Sequence, residues 1–440
     1  MRTQIFRISY LLLFALAIAV AAHRLPAYAS RLPWFFLVAL SDLYLMHFFS
    51  NHENFRKVLS RNLLTTLTFI PSILLLCFLL SMVFLSPVDW HHVMRTYLLG
   101  LVVFFYLLRF FPLLVLSTQS LKNLFTGKSR YIFNITSTVR TWLNVSFGIS
   151  FIAGIFMILG MSLWVYDFEV IEKEIPVPGL PQQLDGYRIV HFSDLHLGRW
   201  HSEKPLQSAF NMINAQQPDL IAFTGDLVNY ATSEALPYKS LLAGLQAKHG
   251  VFAVLGNHDY GDYKRWPNNE AKQENMRQMH ELLEEIGWIL LENKSLAIYQ
   301  NESCLIIAGT ANFSNGAHYP NRSDFDLTLS GIPDSCFVVL LTHHPGAIET
   351  NEETLPSPCL ILAGHTHAMQ VGVRISGKRY SPSALVFRYW GGLYELVPSN
   401  IPKAWLYVNP GLGHIAFPFR IGIKPEITVL VLRSVKAPGS

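Results

Sequence analysis

The sequence predicts two successive parts, an all-α bundle of about five membrane-spanning helices and a mixed α/β domain. Of the 440 residues 51% are hydrophobic and only 15% are charged, and most of the apolar excess lies before about residue 166. After residue 186, short apolar runs alternate with helix-like segments, and five of the runs end in a polar cluster. These observations predict a helical region at 1–166, a connector at 167–186 and an α/β domain at 187–440.

Five apolar stretches approach the roughly 20 residues that a helix needs to cross a bilayer. They lie at residues 5–22, 33–49, 63–85, 96–116 and 145–166. The first could instead be a signal peptide, and some could be buried core helices. Because all five follow one another with short connections, we favour a multi-pass membrane protein with membrane lipids as partners.

The orientation follows from the basic residues of the short loops. One face of an odd-numbered bundle carries Arg2, Arg7, Arg56, Lys57, Arg61, Lys122, Lys128, Arg130 and Arg140. The other face offers mainly Arg24 and Arg31, so the first face is expected to be cytoplasmic. The α/β domain is then extracytoplasmic (periplasmic, extracellular or lumenal). If the number of membrane-spanning helices is wrong by one, the predicted side of the α/β domain is reversed.

Two charged residues, Asp42 and Arg109, interrupt the apolar stretches. A charge in a membrane is costly and suggests either a functional site or an ion pair. We favour a structural explanation, in which the two residues pair inside the bundle or lie near a membrane interface, over a transport role.

The cysteines and the net charge of +4 are less informative. The α/β part has three cysteines, Cys304, Cys336 and Cys359, without the spacing of a disulfide framework or a structural zinc site. Most of the positive charge flanks the apolar stretches, so no nucleic-acid partner is expected.

In the second part, strands and helices first alternate and later strands follow one another. Strands are predicted at 187–192, 220–223, 251–255, 304–308, 337–341, 360–363, 369–373, 404–408 and 426–432, and helices at 206–215, 236–245 and 270–286. Pro176, Pro178 and Pro181 argue against a helix in the connector. The pattern favours layered helices and mixed sheets.

Five polar clusters follow these strands, at residues 191–196, 224–226, 256–259, 342–345 and 364–367. They supply carboxylate, imidazole and carboxamide groups, which are ligands for divalent metal ions. Gly225, Gly256 and Gly364 would let the backbone turn sharply. The set suffices for two adjacent ions, an arrangement suited to displacement at phosphorus.

The ordered clusters resemble those of the calcineurin-like metallophosphoesterase superfamily, over residues 187–432. Residues 407–413 (Tyr-Val-Asn-Pro-Gly-Leu-Gly) and 425–428 (Pro-Glu-Ile-Thr) are similar to its membrane-associated branch. The resemblance implies a four-layer αββα sandwich with a dinuclear centre. It also implies two divalent cations, with manganese, iron or zinc left open.

The resemblance assigns a role to each matching residue. The first metal would be bound by Asp194, His196 and His367, and the second by Asn257, His343 and His365, with Asp226 bridging the two. His344 is the alternative to His343. The resemblance makes His258 the substrate-facing catalytic group and Asp259 the group that orients it.

The implied activity is hydrolysis of a phosphodiester, pyrophosphate or phosphomonoester, including lipid-linked ones, through in-line attack by a hydroxide held between the metals. A membrane receptor or scaffold that binds a phosphorylated ligand without turnover is the alternative. Further residues with open roles are His191 (a strand residue), His201, His318 and His414 (the pocket rim) and Arg420 (phosphate contact or structural role).

Overall fold

The structure is a computed structural model that describes residues 2–24, 32–51, 61–84, 92–126, 136–300, 303–316, 319–356, 358–396 and 404–436. The chain divides into two compact units, Met1–Gly160 and Met161–Ser440.

The first unit is built from long apolar helices. In chain order these are α1 (Arg2–Arg24), α2 (Trp34–Asn51), α3 (Arg61–Phe84), α4 (His92–Phe125) and α5 (Ser137–Ser162). Each predicted apolar stretch overlaps one of them. Within the described residues, three segments are long and apolar enough to cross a membrane: Gln4–His23, Thr96–Phe125 and Ser137–Tyr166. The apolar parts of α2 and α3 are shorter, Trp34–Phe49 and Thr68–Ser81.

The two charges of the bundle form an ion pair, which is one of the two arrangements that the sequence favoured. Arg109 Nη1 lies 2.7 Å from Asp42 Oδ1, and Asp42 is fully buried. The Tyr10 hydroxyl donates to Asp42 Oδ2 at 2.7 Å, the Ser72 hydroxyl also donates to it, and Arg109 Nη2 donates to the Thr68 carbonyl. The ion pair and these hydrogen bonds give both charges partners inside the apolar unit. A structural role therefore explains the presence of Asp42 and Arg109.

Five of the eleven basic residues that oriented the bundle lie outside the described part of the chain. Arg31, Arg56, Lys57, Lys128 and Arg130 lie in segments that the structure does not describe. The side of the membrane therefore remains a prediction.

The second unit contains two six-stranded mixed sheets and a hairpin. The first sheet has the order β1 (Glu169–Pro178), β14 (Glu426–Val435), β2 (Arg188–Phe192), β3 (Leu220–Phe223), β4 (Val251–Ala253) and β5 (Trp288–Leu290). The second has the order β12 (Gly392–Leu396), β13 (Ala404–Val408), β9 (Cys359–Ala363), β8 (Phe337–Leu341), β7 (Ser303–Gly309) and β6 (Lys294–Gln300). The hairpin pairs β10 (Val373–Ile375) with β11 (Lys378–Tyr380). Strands β2 to β5 run parallel, as do β7, β8, β9 and β13.

Alternating side chains of the strands enter different cores, as the two-residue period of a strand requires. On β2, Ile189 joins a core shared by both sheets, which includes Leu305 and Val339. Its neighbour Val190 faces a second core, formed with Phe210 of α6 (Glu203–Asn214) and residues of α8 (Asn269–Glu285). A third core packs the other face of the second sheet against α10 (Gly346–Asn351). The short helices α7 (Lys239–Leu242) and α9 (Phe325–Leu329) complete the unit.

Several segments differ from their sequence-based expectation, and the strands β5, β6, β11 and β12 were not predicted. The segment 167–186 contains β1, which pairs in parallel with β14 along its whole length. Because β1 is an edge strand, Pro176 and Pro178 are tolerated there. The strand predicted at 369–373 is wrong over most of its length: His367–Gln370 is a 3-10 turn, and β10 begins at Val373.

Cys304 and Cys336 form a disulfide that the sequence did not reveal. They stand at the beginnings of β7 and β8, which are hydrogen-bonded neighbours, so the bridge joins adjacent strands. Only the fold brings together two cysteines that are 32 residues apart.

Candidate metal centre

The five polar clusters converge at the carboxyl ends of parallel strands. Those after β2, β3 and β4 come from the first sheet, and those after β8 and β9 come from the second. Ligand sites form at this edge of α/β sheets because the loops there meet. All seven residues predicted to hold metal lie in this one place: Asp194, His196, Asp226, Asn257, His343, His365 and His367.

One group of donors consists of Asp194, His196 and His367, all buried. His367 Nε2 lies 3.2 Å from Asp194 Oδ1 and 3.0 Å from His196 Nε2. One carboxylate oxygen and two imidazole nitrogens thus face a common point, as in a site for a divalent ion.

A second group surrounds the Asn257 carboxamide. Its Oδ1 atom lies 3.1 Å from His343 Nε2 and 2.9 Å from His365 Nδ1. The two imidazole nitrogens are 3.1 Å apart. The His343 Nδ1–H donates to the Thr224 carbonyl at 2.7 Å, which fixes the tautomer that leaves Nε2 available.

Asp226 lies between the two groups. Its Oδ2 atom is 3.6 Å from His196 Nε2 and 3.3 Å from His343 Nε2. Its Oδ1 atom accepts the backbone N–H of His258 at 2.9 Å. A carboxylate placed in this way can serve both groups at once.

Five of the seven residues have backbone conformations that non-glycine residues rarely adopt. Their φ angles are positive: Asp194 54°, His196 48°, Asp226 59°, His365 72° and His367 49°. Such strain costs about 1–3 kcal/mol per residue and concentrates at functional sites. The rest of the fold holds the backbone in these conformations. As a result, the side chains point into the site.

Glycine permits the close approach of the clusters. A Cβ atom on Gly364 would collide with the side chains of Ser193 and Asp194, and one on Gly256 would collide with Asp226. Both glycines therefore allow one ligand loop to lie directly against another.

Asp259 does not have the contacts expected of a group that orients His258. Its carboxylate accepts the backbone N–H groups of Asp226 and Gly256, both at 2.9 Å, and of Val228 at 3.0 Å. The His258 Nδ1–H instead donates to the Asn229 carbonyl at 2.8 Å. The predicted role of Asp259 is thus corrected: it fixes the loops of Asp226 and Gly256, and the Asn229 carbonyl orients His258.

The surroundings of the site shift its proton equilibria. Burial, reinforced by neighbouring histidines, lowers the pKa of His196 and His365 well below its usual value. Burial opposes ionisation of Asp194, but the charge and hydrogen bond of His367 outweigh it and hold the Asp194 pKa at about 2. Burial also disfavours charge on His343, yet the Asp226 carboxylate raises the His343 pKa to about 9. Neutral imidazoles and ionised carboxylates are the forms that bind metal, and a cation would displace the proton of His343.

The other histidines and Arg420 have mostly structural contacts. His344 accepts the Gly346 N–H through Nδ1, and its ring lies 4.2 Å from that of His365 at an angle of 37°, so it lies beside the cluster. His191 is buried against Thr224, and His201 contacts the Tyr166 hydroxyl. His414 is buried, and His318 lies outside the described residues. Arg420 is buried and donates to the carbonyls of Pro410, Gly411, Gly413 and Lys424, which is a structural role.

Three residues around His258 were not singled out from the sequence. The Tyr263 ring stacks on the His258 ring at 4.1 Å, and its hydroxyl accepts from Asn257 Nδ2 at 2.8 Å. Glu234 accepts the backbone N–H groups of Asn229 and Tyr230 and so holds the Asn229 carbonyl in place. Asn229 and Tyr263 lie three and five residues beyond a predicted site residue (Asp226 and His258), but only the folded geometry shows their contacts.

The donor set fits divalent metal ions. The described residues contain three overlapping groups of potential ligands, each with donor atoms within 4.8 Å of one another: Asp194, His196 and His367; His196, Asp226 and His258; and Asp226, His343 and His365. All donors are oxygen or imidazole nitrogen, which suits manganese, iron or zinc.

Comparisons with known proteins agree with this chemistry. Residues 187–369 match the family model described as calcineurin-like phosphoesterase. A "Transmembrane protein with metallophosphoesterase domain" from Danio rerio is 30% identical over 275 residues, which are 60% of this chain and 57% of the relative. The chain thus spans little more than half the length of that protein.

Two bacterial relatives are also similar. The "Uncharacterized metallophosphoesterase YkuE" of Bacillus subtilis is 32% identical over 273 residues, covering 60% of this chain and 86% of the relative. The "UDP-2,3-diacylglucosamine pyrophosphatase LpxG" of Chlamydia muridarum is 26% identical over 277 residues, covering 52% of this chain and 79% of the relative.

Proposed function

The chain belongs to the calcineurin-like metallophosphoesterase family, and from this premise we propose that it is a membrane-anchored, metal-dependent phosphoesterase. The observation that carries the proposal is the position of Asp226. Its carboxylate lies between two groups of ligands, within 3.6 Å of His196 and 3.3 Å of His343. Two adjacent cation sites that share one carboxylate suit a reaction at phosphorus.

The residues of the site would have two separate roles, metal binding and proton transfer. When bound, two divalent cations would activate water and neutralise the charge on phosphoryl oxygens. Asp194, His196 and His367 would hold one cation, Asn257, His343 and His365 the other, and Asp226 both. The His258 Nδ1–H donates to the Asn229 carbonyl, so Nε2 is the ring nitrogen that can act on the substrate. His258 would donate from Nε2 to a phosphoryl oxygen or the leaving group only after Nε2 has taken up a second proton from water.

The finer architecture is also part of the proposal. We expect the second unit to form a four-layer αββα sandwich, because one core lies between the sheets and helices join the two outer cores. We expect all five apolar helices to cross the membrane, which would place the second unit on the extracytoplasmic side. The Cys304–Cys336 disulfide supports that side, since disulfides persist in oxidising compartments.

The substrate we favour is a phosphate ester or pyrophosphate linked to a lipid. The support is the apolar helices of the chain together with the name of the Chlamydia relative, a UDP-2,3-diacylglucosamine pyrophosphatase. The alternative, a receptor that binds without turnover, has less support because all seven predicted ligands and His258 are present and clustered.

A phosphate-release screen with the purified full-length protein tests the proposal. It would include Mn²⁺ and compare nucleotides, phospholipids and lipid diphosphates. We expect turnover that is lost when Asp226→Asn weakens both cation sites. His258→Asn should retain the metal, measured by elemental analysis, while turnover falls by about 10²–10⁴-fold. Ligand binding by the wild type without any phosphate release would instead support the receptor.

A further inference from the structure

The second unit carries an unusual concentration of exposed apolar side chains directly after the last ligand cluster. Of the twelve exposed large hydrophobic residues described in this unit, six lie between residues 369 and 386. We call them the apolar rim: Met369, Val373, Ile375, Tyr380, Leu385 and Val386. Leu385 is 89% exposed, Val386 65% and Ile375 58%. Exposed apolar side chains concentrated in one segment are typical of a surface that meets an apolar partner.

The hairpin of β10 and β11 has two chemically distinct faces. Val373 pairs with Tyr380 and Ile375 pairs with Lys378, so these four side chains share one face. The intervening pair, Arg374 and Arg379, belongs to the other face. That second face contacts the first sheet, where Arg374 pairs with Glu169 and Arg379 with Glu426.

These contacts fix the exposed face in position. Gly372 N–H donates to the Ile421 carbonyl at 2.8 Å, and Ser381 Oγ donates to the Ala368 carbonyl at 2.7 Å. The hairpin is therefore held in place by hydrogen bonds and ion pairs on its other side. Its apolar face is exposed in the folded protein.

The segment that carries the rim also contains basic residues, of which Arg374 and Arg379 are paired as described above. Residues 369–391 contain Arg374, Lys378, Arg379 and Arg388 and no acidic residue. Lys378 lies on the apolar face, Arg388 is exposed, and Tyr380 and Trp390 supply aromatic rings. Apolar and aromatic side chains interleaved with basic ones match the boundary between the acyl chains and the anionic headgroups of a bilayer.

We propose that the apolar rim docks on a lipid bilayer that contains anionic headgroups. The chain itself favours this partner, because its helices are apolar and long enough to span a membrane and the second unit follows them without a break at Gly160 and Met161. Charge complementarity favours it too, since the exposed basic residues Lys378 and Arg388 accompany the rim, whereas Arg374 and Arg379 are paired with Glu169 and Glu426 on the other face.

The rim is connected to the candidate metal centre. Phe387 lies between the rim and the ligands, with its ring 5.9 Å from that of His365. The Thr366 hydroxyl donates to the Trp390 carbonyl at 2.6 Å, which ties both ends of the segment to the ligand loop. Docking of the rim would bring headgroup phosphates next to His365. This consequence for the substrate rests on the proposed function, whereas the docking itself does not.

Spin labelling of the full-length protein in nanodiscs tests the docking. The nanodiscs contain equal parts of phosphatidylcholine and phosphatidylglycerol, and Cys77→Ser removes the exposed free thiol. A nitroxide is attached at Leu385→Cys, and at Leu327→Cys as a control, because Leu327 is a leucine of the same unit that is 59% exposed and lies on α9. We expect the label at 385 to be accessible to oxygen and protected from a water-soluble nickel complex, and the label at 327 to show the reverse. Equal access of the nickel complex to both labels would overturn the proposal.

A charge-insertion variant supplies a second readout. Ile375→Glu with Leu385→Glu should lower hydrolysis of a phospholipid in the nanodisc by at least about tenfold, since two apolar contacts with the bilayer are lost. Hydrolysis of a soluble chromogenic phosphodiester should not change. An equal loss on both substrates, or on neither, contradicts the docking. If the wild type hydrolyses neither substrate, the proposed function fails while the spin labels still decide the docking.

Discussion

At the scale of single residues, the candidate centre depends on side chains that are not ligands themselves but hold the ligand loops. Asp259 is fully buried, and each of its contacts described above is with a backbone N–H group of a ligand loop. Burial, followed by the charge of Asp226, raises its pKa to about 7. Three accepted hydrogen bonds explain why a carboxylate occupies this position despite that cost.

Replacing Asp259 by Asn should therefore loosen the centre. The amide offers one acceptor oxygen and places an NH₂ group against a backbone donor. We expect a loss of about 1–3 kcal/mol in the free energy of unfolding. Metal affinity should fall by about 10–100-fold. Urea unfolding and isothermal titration with Mn²⁺ measure the two effects. Asp185→Asn is the control, because Asp185 also accepts one backbone N–H, from Ser434, at an exposed site. Equal effects of both variants would refute the positioning role.

His191 gives the metal-free protein a specific pH dependence. Burial lowers its pKa to about 3, while the unfolded chain should have the usual value near 6.5. Below pH 6.5 the unfolded state binds a proton that the folded state refuses, so stability falls as the pH drops from 6.5 towards 3. His191→Leu should flatten the plot of unfolding free energy against pH by about 1.4 kcal/mol per unit near pH 5. Urea unfolding in the presence of a chelator, between pH 4 and 7, measures the slope. An unchanged slope would show that His191 is not buried as a neutral group.

At the scale of elements, the sequence predicted the site better than the sheets that carry it. The order Asp-x-His, Asp, Asn-His, His, His-x-His and the apolar runs before these residues are local patterns, so the convergence of the loops could be foreseen. The pairing of β1 with β14 joins residues more than 250 positions apart, and no local pattern encodes it. The disulfide and the Asn229–His258 contact were missed for the same reason. Asp259 was assigned by resemblance, and the actual direction of its side chain depends on the fold.

The segment Asn409–Gly413 shows how one element supports another. Arg420 donates to the carbonyls of Pro410 at 3.0 Å, Gly411 at 2.9 Å and Gly413 at 2.6 Å. A Cβ atom on Gly411 would lie 2.8 Å from Asp194 Cβ, so this segment is in close contact with a ligand. The Gly413 N–H also donates to the Asp194 carbonyl. A buried guanidinium thus shapes the loop against which Asp194 rests.

Arg420→Lys should keep the charge but lose this pattern of donors, because an ammonium group cannot reproduce the planar fork of arginine. We expect a loss of about 2–4 kcal/mol in unfolding free energy and reduced metal occupancy. Elemental analysis and urea unfolding provide the readouts. Arg433→Lys is the matched control, since Arg433 is an exposed arginine paired with Glu174. The urea concentration at the midpoint of unfolding should hardly change in this variant. Wild-type stability and occupancy in Arg420→Lys would rule out the bracing role.

At the scale of the whole molecule, two independent features bear on the side of the membrane that holds the second unit. The distribution of basic residues in the loops predicts the extracytoplasmic side, and this prediction reverses if one span is miscounted. The Cys304–Cys336 bridge does not depend on the number of spans. Because cytosolic thiols are kept reduced, the oxidation state of this pair in cells reports the compartment directly.

We therefore expect the denatured protein, trapped by acid directly from cells, to expose two reactive thiols, Cys77 and Cys359. Prior reduction should raise this number to four, since the sequence contains four cysteines. Gel shifts with a polyethylene-glycol maleimide count the thiols. Cys304→Ser and Cys336→Ser should each give three thiols with or without reduction, and together they identify the two cysteines as partners. A reporter fused after Ser440 gives a separate answer and should be active only outside the cytoplasm. Four thiols before reduction together with a cytoplasmic reporter would reverse the orientation, and the bundle would then cross the membrane an even number of times. The geometry of Asp226 and its neighbours would not be affected, because every contact of the candidate centre lies within the second unit.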